Sequence, residues 1–196
     1  MSEHESEADA GAEDVGYKVP EKKTLSEIQA LDTEDESLRR YKAALLGEIG
    51  DIPFPNNPSV FIPESFSICI DGLPEVKFGL RGDINNFKST PVNIPEGSSY
   101  HLKIVFYVQR DIVTGLKYEQ STYRGPMRLD HSNVMMGSYG PRKEPHDWTS
   151  ETYEAPKGKI HRGSYSIKSR FHDVDQTEFL SWKWQITVTK CASSAD

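Results

Sequence analysis

The chain has 196 residues, a formal net charge of −7 and only two cysteines, Cys69 and Cys191. Its length favours one globular domain with an appendage, and a domain of this size needs no disulfide framework. The acidic balance argues against nucleic acid as the main partner, and no apolar run approaches the roughly 18 residues typical of a membrane span, so we expect a cytoplasmic protein with reduced cysteines.

The negative charge is confined to the first 55 residues. They contain 14 Asp and Glu against 6 Lys and Arg, a net of −8, whereas residues 56–196 carry a net charge of +1. Met1–Asp14 has no large apolar residue after Met1, a composition typical of disorder. We therefore predict a disordered acidic tail over 1–16, a regulatory arm over 17–55 and a globular domain over 56–196.

Two short helices are predicted within the arm. Thr24–Glu27 matches a capping box and is followed by apolar residues at helical spacing up to Leu31. Thr33–Glu36 is a second capping box, before a helix that Gly47 would close. The apolar face of this second helix consists of Leu38, Tyr41 and Leu45. Isolated helices of fewer than about 12–15 residues are marginal in water, so the pair needs a surface. That surface is either the chain's own globular domain or a partner.

Beyond Pro58, helical periodicity gives way to the alternation of β-strands. The predicted strands are Phe66–Ile70, Val76–Leu80, Val92–Ile94, Tyr100–Val108, Leu116–Thr122, Ser164–Phe171 and Leu180–Val188. Turns rich in Gly and Pro separate them, and no crossover helix joins them. The pattern predicts an all-β fold, an immunoglobulin-like antiparallel β-sandwich preceded by a flexible arm. Alternation leaves open whether the sheets close on a tight core or leave a lipid-sized cavity.

Residues for catalysis or metal binding do not form a known pattern. None of the histidines has metal-ligand spacing to a cysteine or to another histidine; they are His4, His101, His131, His146, His161 and His172. Gly79–Gly82 and Gly137–Gly140 are too short and too poor in lysine to form a phosphate loop. We expect a binding protein without metal or cofactor, and not an enzyme.

Several sequence blocks, in the right order, resemble the Rho GDP-dissociation inhibitor family. They are Leu31–Gly47, Ile112–Tyr118, Met136–Arg142, Glu154–Gly158, Arg162–Phe171 and Leu180–Trp184. The similarity extends from Tyr17 to Lys190. It implies an immunoglobulin-like sandwich whose arm regulates prenylated, GDP-bound small GTPases of the Rho, Rac and Cdc42 type, bound one to one. It also implies that the membrane is contacted only transiently, during extraction and delivery.

The resemblance assigns arm residues to the switch regions of the GTPase. Asp35 matches an acid that reaches switch I, Tyr41, Leu45 and Leu46 match a helix face laid on the switches, and Asp130 matches a further GTPase contact. Holding the switch loops beside the Mg²⁺ site would prevent release of GDP. The resemblance therefore favours a partner, rather than the chain's own domain, as the surface on which the arm docks.

The resemblance further implies that a geranylgeranyl group of the GTPase lies between the two sheets. The predicted pocket residues are Tyr100, Ile160, Ile167 and Trp184, from the resemblance, and Phe66 and Ile68, added from the alternation. A lipid carrier of the same fold that binds prenyl or acyl chains without regulating a GTPase is the alternative function. Such a carrier would not need Asp35 or the apolar face at Leu45 and Leu46.

Acidic residues on the sandwich are expected to meet the basic tail that precedes the prenylated cysteine of a Rho protein. Glu154 and Asp175 match such positions. Tyr153 and Val174 stand where relatives carry further acids, so the attraction is weaker here or suits another tail.

Two positions are possible phosphorylation sites, Thr24 and Ser164. A phosphate on Ser164 would bring negative charge close to the predicted pocket. Pro91 stands where the family usually has a phosphorylatable serine, so regulation through that position is not expected.

Overall fold

The computed structural model describes residues 52–82, 84, 87 and 89–191. The predicted acidic tail and both arm helices lie outside the described residues, and so do Thr24, Asp35, Tyr41, Leu45 and Leu46. The division of the chain at residues 16 and 55 therefore stays a prediction.

The described residues form ten β-strands and one short 3-10 helix, Lys159–His161. The strands are β1 (Phe61–Ile70), β2 (Val76–Gly79), β3 (Val92–Pro95), β4 (Ser99–Val108), β5 (Val113–Arg124), β6 (Met127–Tyr139), β7 (His146–Thr149), β8 (Tyr153–Glu154), β9 (Gly163–His172) and β10 (Glu178–Thr189). All seven predicted strands are present. β1 begins five residues earlier than predicted and β5 three residues earlier, and the other bounds agree to within two residues. β6, β7 and β8 are strands that the sequence pattern did not predict.

The strands form two sheets packed as a sandwich, which confirms the predicted all-β, immunoglobulin-like fold. One sheet has the order β2-β1-β4-β7, with β8 also pairing with β4, and the other has the order β3-β10-β9-β5-β6. All strand pairs are antiparallel except β3 with β10, which are parallel. This single parallel pair lies at the edge of an otherwise antiparallel sheet, because β3 is the edge strand beside β10.

The two ends of the sandwich are named here after the ends of β1. At the Phe61 end, the ring of Phe61 lies 5.3 Å from that of Phe171 and 5.1 Å from that of Phe179, which joins the two sheets. At the Ile70 end, the amide of Glu96, in the turn that joins β3 to β4, donates a hydrogen bond to the carbonyl of Thr189 at the end of β10, at 2.8 Å.

The core lies between the sheets and follows the predicted alternation. In β4, Leu102, Ile104, Phe106 and Val108 are buried, whereas Lys103 between them is exposed. In β10, the buried residues are Trp182, Trp184, Ile186 and Val188. Burial of these apolar side chains is the main favourable contribution to folding, at about 25 cal/mol per Å² of apolar surface.

A short segment before β1 is fixed to the Phe61 end by two side chains. The side-chain amide of Gln109 donates to the carbonyls of Asn57 and Ser59, at 2.7 and 2.9 Å, and its oxygen accepts from the amide of Phe54 at 3.1 Å. The guanidinium of Arg110 donates to the carbonyls of Asn57 and Pro55. Residues 54–59 are therefore held against the sandwich by hydrogen bonds.

Candidate functional site

Four of the predicted pocket residues meet in the middle of the sandwich. Ile167 and Trp184 are directly opposite each other on β9 and β10, and the ring of Phe66 on β1 lies 5.0 Å from that of Trp184. Phe66 and Ile68 have no exposed surface, and Ile167 and Trp184 are 2% and 1% exposed. Because Phe66 and Ile68 are completely buried, the sheets are closed over them. A ligand could reach these side chains only if they moved.

Buried hydrogen bonds cross this interior, and the sequence pattern did not predict them. The hydroxyl of Ser169 lies 2.8 Å from that of Tyr118 and accepts a hydrogen bond from Nε1 of Trp184 at 3.0 Å. The Tyr118 hydroxyl also donates to the side-chain oxygen of Gln120. Burial raises the pKa of Tyr118, so its hydroxyl stays protonated and remains a donor. These side chains therefore satisfy one another within the protein, whereas Nε1 of the neighbouring Trp182 is buried without a hydrogen-bond partner.

Tyr100 and Asp130 lie close together at the Ile70 end. Tyr100 is opposite Ile70 on one side and Tyr153 on the other, with 5.6 Å between the two tyrosine rings. Burial raises the pKa of Tyr100 to about 12, with smaller contributions from Tyr153 and from the negative charge of Asp130. Asp130 itself is exposed on β6. The structure thus brings a predicted GTPase contact and a predicted pocket residue to the same end of the sandwich.

Ile160 lies at the same end, but it is not part of the packed interior. It sits in the 3-10 helix and is 77% exposed. The predicted pocket therefore divides into an interior group, a partly buried Tyr100 and a surface side chain at Ile160. Sequence alternation could not reveal this, because Ile160 lies outside every strand.

The loop that carries Ile160 is held by two charged side chains from other elements. Glu96 forms an ion pair with Arg162 and accepts a hydrogen bond from the amide of Gly158 at 3.0 Å. From the end of β5, Arg124 donates to the carbonyls of Ile160 and Arg162, at 2.7 and 3.1 Å. These anchors come from distant parts of the chain, so only the folded structure shows that they fix this loop.

The anchoring by Glu96 should depend on pH. The hydrogen bonds from Arg162 lower the pKa of Glu96 from 4.5 to about 2, with help from the amide of Gly158. A lowered pKa stabilises the fold above the ordinary carboxyl range, and this contribution is lost as the pH falls towards 2. Glu96→Gln should therefore have a lower melting temperature than the wild type at neutral pH. This difference in melting temperature should become smaller as the pH falls from about 5 to about 2.

Circular dichroism melts of both proteins across this pH range provide the measurement. The other carboxyl groups are present in both proteins, so the difference in melting temperature between wild type and variant reports on Glu96. A gap that stayed constant with pH would contradict the role given to the Glu96 carboxylate.

The two acids predicted to meet a basic tail lie at opposite ends of the sandwich. Glu154 is at the Ile70 end, on β8, where it forms an ion pair with Lys157 at 2.6 Å. Asp175 follows β9 at the Phe61 end, in the turn beside Val174, whose side chain lies over Gly115. The structure does not bring these acids together, so one short tail segment cannot contact both.

Ser164, the possible phosphorylation site within the described residues, is exposed near the start of β9. It lies two residues beyond Arg162, at the Ile70 end of the sandwich. Whether it is modified stays a prediction.

A surface cavity of about 420 Å³ lies at the Phe61 end, away from the predicted pocket. Its lining includes Phe54, Phe61, Leu80, Arg81 and Phe179. The guanidinium of Arg81 lies over the ring of Phe54, 3.9 Å from its centroid. This cavity shares none of the residues predicted to contact a lipid.

No group of three or more His, Cys, Asp or Glu side chains within residues 52–82, 84, 87 and 89–191 could hold a metal ion. Within the same residues, no helix has the length and apolar character needed to cross a bilayer.

Comparisons with known proteins cover nearly the whole chain. A family model described as RHO protein GDP dissociation inhibitor matches residues 2–191. Rho GDP-dissociation inhibitor 1 of Homo sapiens is 46% identical over 176 residues, which cover 90% of this chain and 86% of that protein. A probable rho GDP-dissociation inhibitor of Caenorhabditis elegans is 38% identical over 191 residues, covering 97% and 100%.

Among solved structures, a Niemann-Pick type C2 protein from Japanese carpenter ant is a distant match. It has a TM-score of 0.41 and 12% identity, and the match covers 68% of this chain and 97% of that one. A likeness at this level carries no argument about the present chain.

Proposed function

The chain belongs to the Rho GDP-dissociation inhibitor family, and from this we propose that it binds prenylated, GDP-bound Rho-type GTPases one to one in the cytoplasm. Members of this family are regulatory inhibitors and not enzymes. In the proposed complex the sandwich shelters the geranylgeranyl group, while the arm holds the switch regions and blocks release of GDP. The inhibitor thereby removes the GTPase from membranes.

The observation that carries the lipid half of the proposal is the closed apolar interior around Phe66, Ile68, Ile167 and Trp184. Burial of each CH₂ group contributes about 0.8 kcal/mol, so a chain of roughly twenty carbons is held in a bilayer by on the order of 10 kcal/mol or more. An exposed groove would leave part of that chain in water. An interior that opens to admit the lipid and closes over it can compete with the bilayer.

The arm supplies the second contact in the proposed complex. Asp35 would reach switch I, and Tyr41, Leu45 and Leu46 would lie against the switches, as the family resemblance implies. On the sandwich, Asp130 is exposed beside Tyr100, in a position where a GTPase could contact it while its lipid enters at the same end. Binding at two linked points raises the effective concentration of the second contact.

The direct test is extraction from membranes. The protein is mixed with vesicles that carry prenylated, GDP-loaded GTPases of the Rho, Rac and Cdc42 type, and the released fraction is measured after sedimentation. We expect release of at least one of them. Failure to release any of the three would contradict the proposed function.

Asp35→Ala separates the two halves of the proposal. We expect the variant to lose much of its inhibition of GDP release, because the acid that reaches switch I is gone, and to keep its affinity for a free prenylated peptide. Fluorescent-nucleotide exchange and peptide titration provide the two measurements. An equal loss of both would show that the arm and the pocket do not act separately, and unchanged inhibition of exchange would show that Asp35 does not hold switch I. A wild-type protein that binds the peptide but does not inhibit exchange would favour a plain lipid carrier.

A further inference from the structure

Four basic side chains lie on the outward side of the sheet that contains β9, which we call the β9 sheet. Lys183 on β10 and Lys168 on β9 are both exposed, and each stands between two buried residues. Lys117 on β5 is half-buried and also stands between two buried residues. Arg128 on β6 is exposed and directly opposite Tyr123 of β5. We call these four side chains the basic face.

The positive charge of the basic face is not neutralised by the acids near it. Glu119 forms an ion pair with Arg170, and Glu178 lies 3.9 Å from the same guanidinium. Lys168 and Lys183 are directly opposite each other in the β9–β10 pair, an arrangement of like charges that destabilises a sheet. Within the part of the chain that the structure describes, no ion pair joins the basic face to a carboxylate. A local cost of this kind indicates a functional surface, here one that attracts negative charge.

The two sheets of the sandwich differ in charge. Counted over its strands and the turns β5–β6 and β9–β10, the β9 sheet has six Lys and Arg and five Asp and Glu. Counted over its strands and the turns β1–β2 and β7–β8, the sheet that contains β1, here the β1 sheet, has two and six. An acidic segment is therefore attracted to the β9 sheet and repelled by the β1 sheet.

We propose that the predicted acidic tail of this chain, residues 1–16, docks on the basic face. The tail contains six Asp and Glu and no Lys or Arg, so its charge is complementary to that of the face. Individual ion pairs between exposed side chains contribute little. Because the tail is covalently attached, however, its effective concentration near the face is high, and several weak contacts can act together.

The chain between the tail and the sandwich is long enough for this contact. The ring of Phe54 lies 5.0 Å from that of Tyr107, so the chain joins the sandwich on the outward side of the β1 sheet. Thirty-five residues separate Gly16 from Ile52. A flexible chain of that length spans about 30–35 Å on average. Since packed sheets are only about 10 Å apart, the tail can pass around the sandwich to the β9 sheet.

The docked tail would hold the predicted arm at both ends. One end is fixed where hydrogen bonds hold residues 54–59 at the Phe61 end, and the other would be fixed on the basic face. The arm would then stay close to the sandwich before any partner arrives. This contact needs no GTPase, so it goes beyond the proposed function. The predicted lipid pocket lies on the inward side of the same sheet, so the docked tail would not occupy it.

The test compares amide NMR spectra of the full chain with those of a variant whose tail is neutral, with no GTPase present. We expect the amide signals at Lys168 and Lys183 to differ between the two proteins at about 0.05 M salt. Those at Lys77 and Lys103, on the β1 sheet, should not differ. The differences should largely disappear at about 0.5 M salt, where screening shortens the range of charge interactions. The neutral tail carries Glu3→Gln, Glu5→Gln, Glu7→Gln, Asp9→Asn, Glu13→Gln and Asp14→Asn.

A pair of double variants tests the same contact from the sandwich. Lys117→Gln/Lys183→Gln should reduce the salt-dependent shifts of the tail's own amide signals by at least about half, because two of the four charges are gone. Lys77→Gln/Lys103→Gln is the matched control: it removes the same charge from exposed positions of the β1 sheet and should leave the tail signals unchanged.

The proposal is overturned if neutralising the tail leaves the signals of the basic face unchanged. It is also overturned if both double variants change the tail signals equally, because the tail would then respond only to net charge. No GTPase takes part in these measurements, so their outcome is independent of the extraction test.

Discussion

Replacing Ile167 with Asp should abolish binding of a free prenylated peptide and lower the free energy of unfolding by about 3–5 kcal/mol. Ile167 is 2% exposed, and its cross-strand neighbours are Trp184 on β10 and Thr122 on β5. None of these neighbours carries a charge that could pair with the new carboxylate. Since small proteins are stable by only about 5–15 kcal/mol, the effect is large but leaves a folded population.

Lys168→Asp is the matched control for this change. Lys168 is the next residue of β9 and is exposed on the opposite face of the strand. The same new carboxylate should there be solvated and change peptide binding little. Denaturant unfolding and peptide titration of both variants provide the measurements. A variant at position 167 that folds and binds the peptide as the wild type does would show that the lipid does not lie in this part of the interior.

Trp184→Ala should have the next largest effect, with a loss of about 3–5 kcal/mol in the free energy of unfolding. The indole is 1% exposed, lies 5.0 Å from the ring of Phe66 and donates its Nε1 hydrogen to Ser169. Its removal leaves a cavity between the sheets. For a domain of this size, the melting temperature should fall by roughly 10–15 °C.

Trp184→Phe separates packing from hydrogen bonding. It keeps most of the ring contact and removes only the indole donor, while the hydroxyl of Ser169 keeps its contact with Tyr118. We therefore expect a loss of about 1–2 kcal/mol. If the two variants were equally destabilised, the hydrogen bond rather than packing would dominate at this position.

The fold could be predicted from the sequence wherever one face of a strand is buried and the other is not. β4 and β10 show this alternation throughout, and both were predicted. β6 was not, because as the edge strand of its sheet it buries only Met136 and its sequence lacks alternation. β7 and β8 are too short, with four and two residues, to show any period.

The candidate site shows the same limit. Phe66 and Ile68 could be placed inward from their alternation, and the structure places them there. The exposure of Ile160 could not be predicted, because it depends on Glu96 and Arg124, which are distant in sequence. The separation of Glu154 from Asp175 depends on strand directions, which local sequence does not give.

The fixed segment before β1 also determines where the arm is tethered. Gln109 and Arg110 hold residues 54–59 at the Phe61 end, whereas Tyr100 and Ile160 lie at the Ile70 end. The ten residues of β1 span about 30 Å between these ends. A partner whose lipid enters at the Ile70 end and whose switches meet the arm must therefore extend along the length of the sandwich or meet an arm that folds back along it. The length of the sandwich thus selects among GTPases by the length of chain between their folded domain and their lipid.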